Sequence, residues 1–205
     1  MTNAASSTQS APFPTRMQRL REATRHAHMR IEGALPLLDP MLTRARYASV
    51  MAAFFGFYAG LEPRLLVAAG GHAADIELGR RGKVSLLSRD LRALGRTDAE
   101  IESLSRCLEL PLAVTPSQAL GVLYVLEGAT LGGQVIARNL QAALGLGATN
   151  GAAFFIGYGD ETRAMWRSFS QHVDRSAALD SEVAITSALD TFEKLRCWLV
   201  AAGKS

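Results

Sequence analysis

Residues 20–32 read LREATRHAHMRIE, and on a helical wheel of about 100° per residue they separate into faces. Leu20, Ala27, Ile31 and, beyond the quoted stretch, Ala34 share one apolar side. Arg21, Arg25, His28 and Glu32 follow one another at spacings of four, three and four, so they form a polar stripe along its border. His26 falls with Glu22 and Arg30 on the outward side. An imidazole at the edge of an apolar face is placed to bind a metal, and a carboxylate one turn on is placed to orient its second ring nitrogen. Arginines one and two turns earlier suit the carboxylates of the same ligand. The stripe equally describes an amphipathic helix with ordinary border charges, and taken alone it leaves both readings open.

The same periodicity extends outward over the chain. It predicts helices over Met17–Leu35, Arg44–Leu66, Lys83–Gly95, Ser117–Leu144, Asp160–Val173 and Ser181–Ala202. Thr97 followed by Glu100 reads as a capping box for a further helix to about Glu109. Residues 152–159, AAFFIGYG, are the one stretch with an extended look. The expectation is an all-α, single-domain, multi-helix fold over 16–205, behind a mobile tail over 1–15.

Composition narrows the function classes. The chain has 205 residues, 48% hydrophobic and 20% charged, enough for a sizeable core without disulfides. Cys107 and Cys197 stand far apart and form no CxxC pair, which argues against a thioredoxin motif or a zinc site of usual spacing. The net charge of +3 lacks the dense Lys/Arg stripe of a nucleic-acid binder. The longest apolar run, Val50–Leu61, suits a buried helix better than a membrane span. No signal-peptide pattern opens the chain. No nucleic-acid partner, no membrane and a cytoplasmic location are therefore expected.

The long segment 117–144 carries LEGATLGGQV at 126–135. Each glycine inside a helix costs about 0.5–1 kcal/mol relative to alanine, so Gly128, Gly132 and Gly133 call for a compensating gain. Close packing of another helix is one such gain. Close approach of a flat ligand to bare backbone, with a kink in the helix, is another.

Together LREATRHAHMRIE and LEGATLGGQV resemble the heme oxygenase family. Its pattern is L-[KR]-x-x-T-x-x-x-H near the N-terminus, followed by G-x-x-x-G-G-Q in a distal helix. FFGFYAGLE at 54–62 and RAMWRSF at 163–169 resemble further family segments, and the likeness spans most of 17–199. It extends to bacterial members that make biliverdin for phytochromes. The resemblance implies heme held between a proximal and a kinked distal helix, and cleavage to biliverdin, CO and iron with O2 and external electrons. It implies His28 as proximal ligand and Glu32 as its orienting partner. Gly128 and Gly132 would lie against the distal heme face, with Tyr58 in the distal hydrogen-bond network. Arg21 and Arg25 match basic positions near the propionates, and Arg163 and Arg167 are looser candidates for that role. A redox partner such as a ferredoxin or reductase, and a phytochrome receiving biliverdin, complete the implied partners. Many relatives carry an Asp after the first glycine of the distal motif, where this chain has Ala129. That departure keeps a heme carrier without turnover in view, and a cofactor-free helical interaction protein stands as a third reading.

Overall fold

Thr15, Thr97 and Thr115 each open a helix in the same way. The threonine hydroxyl accepts from the backbone N–H three residues on, and the Gln or Glu at that position reaches back to the threonine N–H. A computed structural model describes residues 14–202. The tail expected over 1–15 lies outside them except for Pro14 and Thr15, and Thr15 is the first of these caps.

The helices are α1 (Arg16–Ala34), α2 (Arg44–Ala68), α3 (His72–Asp75), α4 (Val84–Ala93), α5 (Asp98–Ser103), α6 (Pro116–Leu144), α7 (Ala153–Ile156), α8 (Thr162–Arg175) and α9 (Ser181–Ala202). Short 3-10 turns lie at Pro36–Leu38, Leu78–Arg80 and Gly159–Glu161, and no strand occurs among the described residues. The fold is all-α, as the periodicity predicts.

α9 forms the axis, packed along both α1 and α6. α8 packs against α1 and α6, while α2 packs on α4, α6 and α9. α1 contributes Leu20, Ala27 and Ile31 to the core. α2 and α7 meet in an aromatic cluster: the Phe54 and Phe154 rings lie 5.2 Å apart, and Tyr58 lies 5.3 Å from Phe154. α2 and α6 are long and apolar enough to cross a membrane, yet half or more of each such stretch is buried inside the fold. They are its central core helices.

Two local expectations are corrected. The helix opened by Thr97 stops at Ser103, not near Glu109. Beyond it the backbone turns to a tertiary partner, and Cys107 N–H donates to the Gly56 carbonyl of α2 at 3.1 Å. The stretch 152–159 is not extended: it holds α7, then a turn at Gly157 with φ of 59°. The buried Asp90 of α4 caps α7, its two carboxylate oxygens accepting from Ala153 N–H at 2.8 Å and Phe154 N–H at 2.7 Å.

Candidate functional site

α1 and α6 both lie on α9 but pack far less on each other. One side-chain hydrogen bond joins them among the described residues, between the Thr24 and Tyr124 hydroxyls at 3.1 Å. Thr24 is buried and also donates to the Leu20 carbonyl at 2.7 Å, which fixes its hydroxyl toward Tyr124. One turn beyond this bond stand His28 on α1 and Gly128 on α6.

The His28 side chain is 48% exposed, so a ligand can reach it. Its Nδ1 lies 3.4 Å from the Glu32 carboxylate, and its ring meets Phe192 of α9 edge-on at 5.8 Å. Its Nε2 has no hydrogen-bond partner among the described residues. His26 is exposed on the outward side, as the wheel predicts.

The four glycines of α6 divide into two roles. A Cβ added at Gly121 would collide with the Ala184 carbonyl of α9. One added at Gly133 would come within 2.6 Å of the Phe155 carbonyl oxygen. These two serve helix packing. At Gly128 and Gly132 an added Cβ meets nothing within 4 Å. Leu131 and Val135, which share their side of the helix, are 37% and 50% exposed. α6 runs without a break through all of these positions. It presents a strip of bare backbone with apolar borders.

Arg21, Arg25, Arg163 and Arg167 are all exposed. Arg25 lies 3.4 Å from Glu22, and the other three make no ion pair among the described residues. Tyr58 is fully buried, flanked by Phe54, Phe57 and Phe154, and its hydroxyl has no hydrogen-bond partner among the described residues. Burial, reinforced by the charges of Glu62 and Glu127, raises its pKa far above the ordinary range. Tyr58 stands in the aromatic cluster between α2 and α7, close enough to Glu127 of α6 to feel its charge.

Behind Gly128 lies a buried ionic cluster that pattern reading missed. Glu127 pairs with Arg81, accepts from the Tyr158 hydroxyl at 2.7 Å, and has the Lys83 ammonium 3.8 Å away. Arg81 also donates to the carbonyls of Ile76 and Met165. Lys83 Nζ sits 3.7 Å over the Tyr158 ring, and its backbone N–H donates to Glu62. Burial lowers the Lys83 pKa to about 8, although attraction to Glu127 works the other way. A glutamate inside the apolar run of α6 was the available signal, because a buried charge needs a partner. Glu62 and Arg81 also line a cavity of about 210 Å³ with Leu65, Leu78, Leu123 and Leu126. No residue of α1 borders it.

A sequence profile of the family described as heme oxygenase matches residues 15–200. The chain belongs to the heme oxygenase family. It is 29% identical to heme oxygenase PigA of Pseudomonas aeruginosa over 181 residues, covering 87% of this chain and 88% of that one. It is 33% identical to a heme oxygenase of Xanthomonas campestris pv. campestris over 154 residues, covering 70% and 83%. The fold matches that of heme oxygenase from Leptospira interrogans with a TM-score of 0.76 at 18% identity, over 92% of this chain and all of that one. It also matches heme oxygenase-1 of the cyanobacterium Synechocystis, solved in complex with heme, with a TM-score of 0.73 at 17% identity, over 91% of each chain. In this heme oxygenase family member the motif threonine Thr24 ties α1 to α6 one turn from His28.

Proposed function

We propose that this heme oxygenase family member binds heme in the cleft between α1 and α6 and cleaves it to biliverdin, CO and iron. The observation that carries this reading is the open space at Gly128 and Gly132, one turn beyond the bond that also leads to His28. The residues present fit the group. Bare backbone bordered by Leu131 and Val135 suits a flat apolar face, and the half-exposed His28 has a ring nitrogen to offer.

When bound, heme supplies the iron–oxygen chemistry, drawing on O2 and external electrons. His28 Nε2 would hold the iron, while Glu32 keeps the Nδ1 proton in place and so selects the tautomer. The bare backbone at Gly128 and Gly132 would let α6 come close to a flat ligand and leave little room for water beside it. Arg21, Arg25, Arg163 and Arg167 are exposed and suited to fixing the propionates, which sets heme rotation and hence the carbon attacked. The methyl side chain of Ala129 cannot donate a proton, so in this reading delivery falls to water and backbone groups beside Gly128. Tyr58 contributes to the distal network in this reading only if its buried hydroxyl connects through water. We place the reaction in the cytoplasm, with a ferredoxin or a reductase as electron donor and a phytochrome as recipient of biliverdin.

Ala129 favours a second reading, a heme carrier without turnover. Hemin titration followed by reductant under O2 separates the two: biliverdin supports the enzyme, and a stable complex supports the carrier. Absence of any spectral change would return the molecule to a cofactor-free helical protein. In the same assay His28→Ala should abolish the His-ligated ferric spectrum and His26→Ala should leave it nearly intact. The reverse pattern overturns the ligand assignment.

A further inference from the structure

We propose that His72, Asp75 and His172 form a binding site for a divalent transition-metal ion that links α3 to α8. His72 and Asp75 stand three residues apart on the single turn of α3, so both project to one side. His172 lies in the last turn of α8, a hundred residues away in the chain. His72 Nδ1 is 2.9 Å from His172 Nε2, and the two rings meet at 81° with centroids 5.0 Å apart. Nitrogen therefore faces nitrogen. A carboxylate oxygen of Asp75 joins them, with all three ligand atoms within 4.8 Å of one another.

Two imidazole nitrogens and a carboxylate oxygen are the donor set of zinc and its neighbours. Zinc–nitrogen bonds of about 2.0–2.1 Å at tetrahedral angles put two ligating nitrogens roughly 3.3 Å apart. The two histidines need to separate by only a few tenths of an ångström to reach that spacing. Both histidines are partly buried and Asp75 is exposed. The site lies far in sequence from the α1–α6 cleft motifs and uses none of their residues.

Its position gives it a consequence. The segment between α2 and α4 carries Arg81, which already ties to the Met165 carbonyl of α8. An ion held by His72, Asp75 and His172 adds a second tie between the same two elements. It would steady the segment that presents Arg81 and Lys83 to Glu127.

The test is titration of the full-length chain with Zn²⁺ by calorimetry and with Co²⁺ by visible absorption. One equivalent should bind, and His72→Ala and His172→Ala should each weaken binding by at least about tenfold. Asp75→Asn should weaken it less. Cys197→Ser, which removes the exposed thiol, should bind as the parent does. At a hundredfold excess over Kd, Zn²⁺ should raise the melting temperature by about 5–10 °C in the parent and not in His72→Ala. His72→Gln and His172→Gln retain a hydrogen-bonding group without the imidazole, so they cover the case in which an alanine variant folds poorly. The proposal is overturned if the parent binds no stoichiometric ion, if either glutamine variant binds with parental affinity, or if Cys197→Ser abolishes binding.

Discussion

Gly121 and Gly128 lie two turns apart on one side of α6, and a side chain added at each meets different surroundings. At Gly121 it strikes the backbone of Ala184, which cannot swing aside. Gly121→Ala should therefore lower the stability of the heme-free protein by about 1–3 kcal/mol through overpacking. At Gly128 it meets open space. Gly128→Leu should leave heme-free stability unchanged or slightly raised, because leucine is the better helix former. The same leucine should obstruct the α6 side of the cleft and depress both hemin affinity and biliverdin yield. Urea unfolding of the two variants without heme, alongside hemin titration, measures each half. A destabilised Gly128→Leu with normal turnover per bound heme would remove this glycine from the cleft. The helical wheel places His28 and Glu32 together. The division of labour among the glycines is invisible to it, since a glycine looks the same whether its missing side chain makes room for a neighbouring helix or for a ligand.

α7 shows how one element depends on another. Its four residues are too few to form a helix from their own hydrogen bonds. Asp90, on α4, supplies acceptors for the N–H groups of Ala153 and Phe154 in a site where water cannot replace them. Asp90→Ala strands two buried donors and should cost about 2–4 kcal/mol in urea unfolding. Asp90→Asn keeps one acceptor and should lose less. If Asp90→Ala unfolded at the parental midpoint, the cap would carry no weight. The same dependence explains why 152–159 reads as extended and folds as a helix. Its run of apolar residues fits a buried strand or a buried helix equally, and the group that decides is some sixty residues earlier in the chain. α5 differs in the other direction, because its cap is legible and its end is not. That end is set by the bond from Cys107 to Gly56 of α2.

Over the whole molecule, charge acts at two depths. Lys83 is buried, and its pKa falls from 10.5 to about 8. Between those values the unfolded chain binds more protons than the folded one, so this group makes stability rise with pH across the window. The cost of holding it charged is fully present below pH 8. Lys83→Met should remove that rise, worth up to about 3 kcal/mol, and the parent and variant stability curves should converge as pH climbs from 8 to 10.5. Parallel curves would mean that Glu127 compensates Lys83 fully. The arginines of the proposed propionate rim are exposed, where single charge pairs are weak. Replacing any one of Arg21, Arg25, Arg163 or Arg167 with alanine should weaken hemin binding only about two- to fivefold. The fourfold variant should weaken it much more and flatten its dependence on ionic strength. Parental affinity and salt dependence in the fourfold variant would place the rim elsewhere.

The sequence by itself determined the all-α class, most helix boundaries, the paired His28 and Glu32, and the motifs that mark the family. All of these are local: a wheel, a cap or a spacing is written in residues that neighbour one another along the chain. Tertiary structure alone decided which glycines pack and which stay open, that Thr24 binds Tyr124, and that Glu127 is matched by Arg81 and Tyr158. It also brought His72 to His172. Each of these joins residues tens of positions apart in the chain, and each is set by burial, where a polar group must find a partner and a side chain must find room. Helical periodicity reports which side of a helix turns inward, but the particular atoms waiting there belong to other helices.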